Sequence, residues 1–197
     1  MRRLRWMLWG LVAMASAGFG LLMLRTSTVP PGATLIEVRE LGGAFALTDQ
    51  NGATVTEEAL AGRPYAVFFG FTNCPDVCPT TLFELSRLMQ QLGPDADRFK
   101  VLFVTVDPER DTLDQLGPYM SSFDPRITAL TGSPEATAAM LRNYRAYARK
   151  VPMGDGYTMD HTALVFLMGS DGRFVSTLDM HEPEEIRLGK LQQLARR

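Results

Sequence analysis

Residues 65–79 read YAVFFGFTNCPDVCP, and they form the centre of the domain that the sequence predicts. The run from 65 to 71 is continuously apolar, which is typical of a strand buried on both faces of a sheet. From 79 to 92, leucines recur at helical spacing. The sequence therefore predicts a buried strand, a short loop that contains both cysteines of the chain, and a helix.

Strands and helices alternate on either side of this unit. The predicted strands are 44–47 and 53–56 around a turn signal, 101–106, 162–168 and 174–178. The predicted helices are 112–120, 133–148 and 183–195, the second with Ser133 as its cap and Pro134 in its first turn. This alternation predicts an α/β fold with a central mixed sheet flanked by helices.

Residues 1–25 predict one N-terminal transmembrane helix before this domain. Residues 6–24 are uncharged and mostly apolar, close to the ~20 that a bilayer core requires. Arg2, Arg3 and Arg5 lie before the run. We therefore expect a single-pass anchor in a bacterial-type inner membrane, with a cytoplasmic N-terminus and a periplasmic domain. Residues 26–35 are then a linker and 36–197 the folded domain; the alternative is a signal peptide cleaved near 15–17.

The charge balance argues against nucleic acid as a partner. The chain has 20 basic and 22 acidic residues, and four of its arginines lie in residues 1–25, which contain no acidic residue. The exported part therefore has 16 basic and 22 acidic residues, a net charge of about −6. Nucleic-acid binding depends on a basic surface, which this balance does not favour.

Cys74 and Cys78 are placed for thiolate chemistry, at the carboxyl end of a central strand and the N-terminus of a helix. The helix dipole and free amides at such a position stabilise a thiolate. One alternative is a structural disulfide, although closing so short a loop would stabilise the fold little. Another is a metal site, because two thiolates suit Cu(I), zinc or an iron–sulfur centre. Iron–sulfur clusters usually take four cysteines, whereas zinc or copper requires a further ligand, typically imidazole.

The chain has two histidines, His161 and His181. We predict that His161 lies on a loop at the start of the 162–168 strand. If that strand runs antiparallel to the cysteine-bearing strand, its start lies beside that strand's end, as a Cys–Cys–His site requires. His181 precedes the last helix and is interpreted as a surface or capping residue. Met153 and Met159 are soft donors close to His161 in sequence, and we interpret them as packing residues.

Five motifs of this chain resemble those of the Sco/SenC family of copper-binding proteins. They are GFTNCPDVCP (70–79), VDPERDT (106–112), LTG (130–132), YRAY (144–147) and DHTA (160–163). The resemblance covers about residues 36–194 and implies a thioredoxin-like fold with an inserted hairpin and an extra helix. Many members have histidine where this chain has Asn73, a position outside the family's copper ligands.

The resemblance further implies one copper ion, as Cu(I) or Cu(II), bound by Cys74, Cys78 and His161. It implies delivery of copper, reducing equivalents or both to the dinuclear copper site of cytochrome c oxidase subunit II. A second periplasmic copper chaperone and a thiol reductant are further expected partners. Beside the ligands, we expect Asp160 to orient the imidazole and Asp76 to bias the cysteine loop. The respective alternatives are a loop cap and a solvated turn residue.

Three functions fit these residues, and we favour a copper metallochaperone for oxidase assembly. The alternative is a thiol–disulfide reductase that reduces the copper-site cysteines of subunit II, with Cys74 and Cys78 as its redox-active pair. The third is a thiol peroxidase, but neither Asn73 nor Asp76 offers a group that would polarise a peroxide bond. Residues 107–111 follow a neighbouring strand and predict a structural turn at the rim of the site.

Overall fold

In the computed structural model, the described residues are 41–197 and seven positions of the N-terminal segment, namely 6, 9, 10, 14, 16, 18 and 19. The predicted anchor, apart from those seven helical positions, and the predicted linker 26–35 lie outside the described residues. Among the residues that are described, no helix is long and apolar enough to cross a bilayer. The chain divides into two units, Met1–Arg39 and Glu40–Arg197, and the elements below belong to the second.

A seven-stranded mixed sheet forms the centre of this second unit. Its strands are β1 (Ala46–Asp49), β2 (Thr54–Thr56), β3 (Tyr65–Gly70), β4 (Lys100–Thr105), β5 (Ile127–Thr131), β8 (Val165–Met168) and β9 (Phe174–Leu178). They are ordered β2-β1-β5-β4-β3-β8-β9. β3 pairs in parallel with β4 and antiparallel with β8. The predicted mixed sheet is therefore confirmed, with the cysteine-bearing strand in its interior.

Both faces of β3 are covered, which explains its continuous apolar sequence. All six residues of the strand are buried, and successive side chains point to opposite faces. The Phe68 ring lies 6.0 Å from that of Phe103. The Phe69 ring lies 5.5 Å from Tyr144 and 5.9 Å from Phe166, both edge-on. Aromatic pairs of this kind add to the stabilisation that burial itself provides.

Four helices accompany the sheet within residues 41–197: α1 (Val77–Leu92), α2 (Leu113–Met120), α3 (Pro134–Asn143) and α4 (Glu184–Leu194). Short 3-10 turns cover Glu58–Leu60 and Gly93–Arg98. α1, α2 and α4 lie within two residues of their predicted bounds. α1 buries its leucine stripe completely, and Arg87 of α1 donates to Glu184 of α4 at 3.0 Å. The predicted flanking helices are thus confirmed.

The predicted helix 133–148 is too long: residues 144–147 form a turn and a connection, and Ala148 is the first residue of a hairpin. The helix begins as predicted, because the Ser133 hydroxyl accepts from the amide of Ala136 at 3.2 Å. It ends at Asn143, since Arg145 adopts a left-handed φ of 50° that an α-helix cannot continue. β6 (Ala148–Met153) and β7 (Gly156–His161) then form a separate two-stranded sheet. An inserted hairpin, as the family resemblance implies, is present.

Two strands of the main sheet, β5 and β8, also differ from the prediction. β5 was not predicted as a strand at all. β8 begins at Val165 rather than 162. Thr162 instead extends the contacts of the hairpin: its amide donates to the Tyr147 carbonyl at 3.0 Å, and its hydroxyl accepts from the Tyr147 amide at 2.9 Å. Residues 162–164 therefore connect the hairpin to the sheet.

Candidate metal centre

The two cysteines lie where β3 leads into α1. Cys74 is half-buried in the connecting loop, and Cys78 is the second residue of α1 and is fully buried. The backbone amide of Cys78 donates to the Cys74 sulfur at 3.4 Å. Both thiols are free. A helix N-terminus with an amide directed at a sulfur is the predicted environment for a thiolate.

Gly70 allows the buried sulfur to approach the end of β3. A Cβ at this position would lie 2.6 Å from a ring carbon of Phe103 and 3.0 Å from the Cys78 sulfur. Both neighbours are fully buried, so neither can move aside freely. The glycine at position 70, within the apolar run 65–71, therefore reflects the space that the second thiol occupies.

His161 reaches the cysteines from the end of β7. The prediction of a loop position was wrong, because His161 is the last residue of a strand. The condition on which this placement depended is met, because β8 pairs antiparallel with β3, and this pairing places the segment before β8 beside the cysteine loop. His161 Nε2 lies 3.4 Å from the Cys78 sulfur, and its ring meets Phe71 edge-on at 5.7 Å.

The imidazole is oriented by a backbone carbonyl. His161 Nδ1 lies 3.0 Å from the carbonyl oxygen of Thr162. A carbonyl only accepts, so this contact requires the proton on Nδ1 and leaves the lone pair of Nε2 facing the sulfurs. Metal-binding histidines are commonly held in this way.

The two thiols have opposite pKa shifts. The pKa of Cys74 is lowered to about 4, chiefly because the Cys78 side chain donates a hydrogen bond to its sulfur; burial opposes the lowering, and two backbone amides add to it. The same bond, followed by burial, raises the pKa of Cys78. One proton is thus shared by the pair. Cys74 is the thiolate at neutral pH, and Cys78 keeps the proton.

The donor atoms form a triangle that fits one soft metal ion. The two sulfurs and a ring nitrogen of His161 all lie within 4.8 Å of one another. A thiolate and an imidazole on one zinc-sized ion are roughly 3.5 to 3.8 Å apart, close to the 3.4 Å between Cys78 Sγ and His161 Nε2. Two thiolates and an imidazole suit Cu(I) or zinc rather than a hard cation.

The triangle opens onto a groove with a volume of about 240 Å³. Cys74 and His161 line it, whereas Cys78 does not. The remaining wall is largely apolar and comes from the cysteine loop and from β7. Its residues are Phe71, Pro75, Asp76, Val77, Thr158, Met159, Asp160 and Ala163. An ion held by these donors would be reachable from this groove.

The two aspartates that the sequence analysis placed beside the ligands both lie at this groove. The Asp160 carboxylate is 3.8 Å from an Arg149 guanidinium nitrogen, and both side chains are exposed. The hydrogen bond that orients the imidazole is made by the Thr162 carbonyl, whereas the carboxylate of Asp160 pairs with Arg149. Asp76 precedes α1 without capping it through its side chain. Its carboxylate accepts from the Thr80 hydroxyl at 3.2 Å.

His181 lies on the surface, as predicted. Its side chain is 97% exposed and pairs with Asp179 at 2.8 Å. Asn73 is exposed as well. Met159 lines the groove and packs against the core, whereas Met153 is 64% exposed at the hairpin tip.

Sequence reasoning missed one residue that shapes the cysteine loop. Asp111 is fully buried. Its carboxylate accepts from the Thr72 amide at 3.0 Å and from the hydroxyls of Thr72 and Thr105, each at 2.6 Å. The sequence marks Asp111 only as the second aspartate of residues 107–111, a segment that reads as an ordinary turn. Asp111 fixes the loop two residues before Cys74.

Solved structures of copper-bound Sco proteins show the same fold. The copper-bound structure of ScoI from Bradyrhizobium japonicum is 50% identical, with a TM-score of 0.74, and the match covers 78% of this chain and 99% of that one. The copper-bound structure of yeast Sco1 is 34% identical, with a TM-score of 0.72, covering 80% of this chain and 89% of that one.

Curated proteins and a family description agree with this similarity. The mitochondrial protein SCO2 of Saccharomyces cerevisiae is 37% identical over 158 residues, 78% of this chain and 52% of the yeast protein. The chain thus spans about half the length of that relative. Residues 33–196 match the family described as SCO1/SenC. The chain belongs to the SCO1/SenC family.

Proposed function

We propose that this protein is a copper metallochaperone for assembly of the dinuclear copper site of cytochrome c oxidase. It binds one copper ion through Cys74, Cys78 and His161. The observation that carries the proposal is the donor triangle, with its three ligand atoms within 4.8 Å of one another. The copper-bound relatives from Bradyrhizobium japonicum and yeast support copper as the ion.

The chemistry of the donors favours a cargo ion over a structural one. Cu(I) accepts low coordination from two thiolates and an imidazole, whereas structural zinc usually takes four protein ligands. Three donors at the edge of a groove leave one side of the ion accessible. A thiolate or imidazole of a recipient can therefore join the ion before a donor of this chain leaves it.

The proposed recipient is subunit II of the oxidase, with a further copper chaperone and a thiol reductant acting upstream. Residues 1–25 would anchor the chain in the inner membrane, with the domain on the periplasmic side. The charge pattern of the N-terminal segment supports this orientation. Such an anchor would keep the domain close to a membrane-bound oxidase.

Copper affinity of the full-length, reduced chain tests the proposal. We expect one Cu(I) per chain, and a loss of affinity of at least about tenfold in His161→Ala, since one of three donors is removed. The matched control is His181→Ala, which removes the other histidine of the chain. Formation of the Cys74–Cys78 disulfide should remain intact in both variants. Unchanged copper affinity in His161→Ala would refute the ligand assignment.

The second candidate is a thiol–disulfide reductase, which the opposite pKa shifts of the cysteines favour. The Cys74 thiolate attacks a disulfide of the partner, forms a mixed disulfide and releases one partner thiolate. Cys78 then loses its proton and attacks the Cys74 sulfur, which releases the second partner thiolate. The chain ends oxidised, and the partner has gained two electrons.

A metal-free assay with an oxidised peptide from the oxidase copper site tests this candidate. Fast reduction by the dithiol, together with a trapped mixed disulfide in Cys78→Ser, would support it. His161→Ala serves as the comparison, because the thiol exchange does not require a third metal donor. No reduction of the peptide by the intact dithiol would rule the candidate out.

A further inference from the structure

The hairpin that bears His161 is not part of the main sheet. β6 and β7 pair only with each other, so no strand ladder fixes their distance from the cysteines. The hydrogen bond of His161 to Thr162 is made to the next residue in the chain and orients the ring without holding the hairpin in place. Other contacts must therefore set the position of β7 relative to α1.

Such contacts come from the loop after β4. Asp107 is 1% exposed, and its carboxylate accepts from Arg110 Nε and, at 2.9 Å, from the hydroxyl of Tyr157 on β7. Arg110 Nη1 donates to the backbone carbonyl of Tyr157 at 2.9 Å. Both the side chain and the backbone of one β7 residue are thus attached to this loop.

The Arg110 guanidinium also packs against aromatic rings that lead from Tyr157 toward the donor triangle. The guanidinium carbon of Arg110 lies 3.9 Å from the centre of the Tyr157 ring and 6.0 Å from that of Phe71. Phe71 in turn meets the His161 ring at 5.7 Å. Tyr157 and His161 are four residues apart on one strand, so their side chains lie on the same face. Arg110 is therefore packed against the same face of β7 that carries the imidazole.

We propose that Arg110, held by Asp107, is a positioning residue that fixes His161 at ligand distance from the two cysteines. The inference rests on the proposed function. It assigns a role to Arg110 that acts through Tyr157 and β7, without contact to the metal. Asp111 in the same loop holds Thr72, two residues before Cys74. The cysteines and the histidine of the site therefore have separate supports: Asp111 for the cysteine loop, and Asp107 with Arg110 for His161.

A second contact joins the same loop to the same hairpin and provides a matched control. Lys150 Nζ on β6 lies 2.6 Å from the carboxylate of Glu109, and both side chains are largely exposed. Exposed ion pairs contribute little to stability or position. Lys150 also lies over the Tyr157 ring, 4.7 Å from its centre. Glu109→Gln therefore removes the charge of a second loop-to-hairpin contact and leaves the hydrogen bonds of Asp107 and Arg110 to Tyr157 in place.

The experiment measures Cu(I) affinity of the full-length, reduced chain by competition with a chromophoric Cu(I) chelator. Arg110→Lys keeps the positive charge but loses the planar group that stacks and donates in two directions. We expect it to weaken Cu(I) binding by about tenfold or more, as substitutions behind metal ligands do. Glu109→Gln should stay within about twofold of the unmodified chain.

The decisive comparison repeats Arg110→Lys in the His161→Ala background. A residue that acts through the histidine loses its effect once the histidine is absent, so we expect no further weakening there. Equal weakening in both backgrounds would overturn the proposal, as would unchanged affinity in Arg110→Lys alone. If His161→Ala itself leaves affinity unchanged, the ligand assignment fails first, and that result is distinct from a failure of Arg110 alone.

Tyr157→Phe provides a second variant should Arg110→Lys not fold. It keeps the ring under the guanidinium and the backbone carbonyl, and it removes only the hydroxyl that donates to Asp107. We expect a smaller loss of Cu(I) affinity that also vanishes in the His161→Ala background. The imidazole nitrogen couplings in the electron paramagnetic resonance spectrum of the Cu(II)-loaded chain should weaken in both variants. Unaltered couplings and affinity would overturn the assigned role.

Discussion

Removal of the Cys78 thiol should change the pH dependence of Cys74 reactivity. The pKa of Cys74 is lowered from 9.0 to about 4, and the largest cause is the hydrogen bond from Cys78. Only the thiolate reacts with an alkylating reagent. Because the pKa lies below the working range, the alkylation rate of Cys74 should be nearly constant between about pH 6 and 8, where an ordinary thiol gains about a hundredfold.

In Cys78→Ala the pKa of Cys74 should rise toward its ordinary value, and alkylation should become strongly pH-dependent. The backbone amides still lower this pKa, so the rise is incomplete. We expect the rate at about pH 6 to fall at least tenfold. Cys78→Ser is the matched control, since a hydroxyl at the same position still donates to the sulfur and should retain part of the lowering.

The assay is iodoacetamide labelling of the metal-free, reduced full-length chain, with the site of modification read by mass spectrometry. Cys78 is fully buried and its pKa is raised, so Cys74 should be labelled first. A rate in the unmodified chain that rises about tenfold per pH unit from pH 6 to 8 would show that Cys74 is not a thiolate. If the alkylation rate of Cys74 in Cys78→Ala has the same pH dependence as in the unmodified chain, the lowered pKa of Cys74 comes from the helix amides and not from Cys78.

Two further substitutions test the supports of the thiols. Gly70→Ala should destabilise the fold by about 1–3 kcal/mol in urea unfolding and weaken Cu(I) binding, because its Cβ would lie 3.0 Å from the Cys78 sulfur. The control Gly189→Ala in α4, where a Cβ meets nothing within 4 Å, should stabilise by up to about 1 kcal/mol. Asp111→Asn should cost about 1.5–3 kcal/mol of unfolding free energy, since it replaces a charged acceptor of the Thr72 amide and hydroxyl. Because Asp111 acts on the cysteine loop, Asp111→Asn should also weaken Cu(I) binding when His161 is replaced by alanine. Weakening only in the chain that retains His161 would contradict the role of Asp111 in supporting the cysteines.

The centre of the fold was predictable because the residues that favour its strand and helix locally are also the apolar residues that a buried position requires. A strand that is buried on both faces must be apolar throughout, and 65–71 has no polar residue to suggest another conformation. The leucine period of 79–92 matches the buried face of α1. The reach of the 160–163 segment to the cysteines followed from one assumption about strand direction, which the β3–β8 register confirms.

The resemblance implied a hairpin, but its position could not be predicted from the residues, because nothing local marks the end of α3. Helices commonly end at a glycine in the left-handed region, whereas here Arg145 adopts that conformation. β6 and β7 are half-exposed along most of their length, so they lack a clear alternation of apolar and polar residues. The roles of Asp107 and Arg110 depend on Tyr157, 47 residues beyond Arg110 in the chain. The membrane anchor stays a prediction.

His161 distinguishes the two proposed functions more sharply than the cysteines do. Both functions start from a Cys74 thiolate, and both consume the same two sulfurs, since a disulfide cannot bind copper and bound copper blocks oxidation. Only copper binding needs a third donor within reach of both sulfurs, and the triangle of 4.8 Å meets that requirement. Holding this donor requires the part-buried hydrogen bonds that join Asp107 and Arg110 to Tyr157, in a hairpin outside the sheet. Thiol exchange alone would not depend on those contacts, so the support behind His161 favours copper binding as the function that the geometry serves.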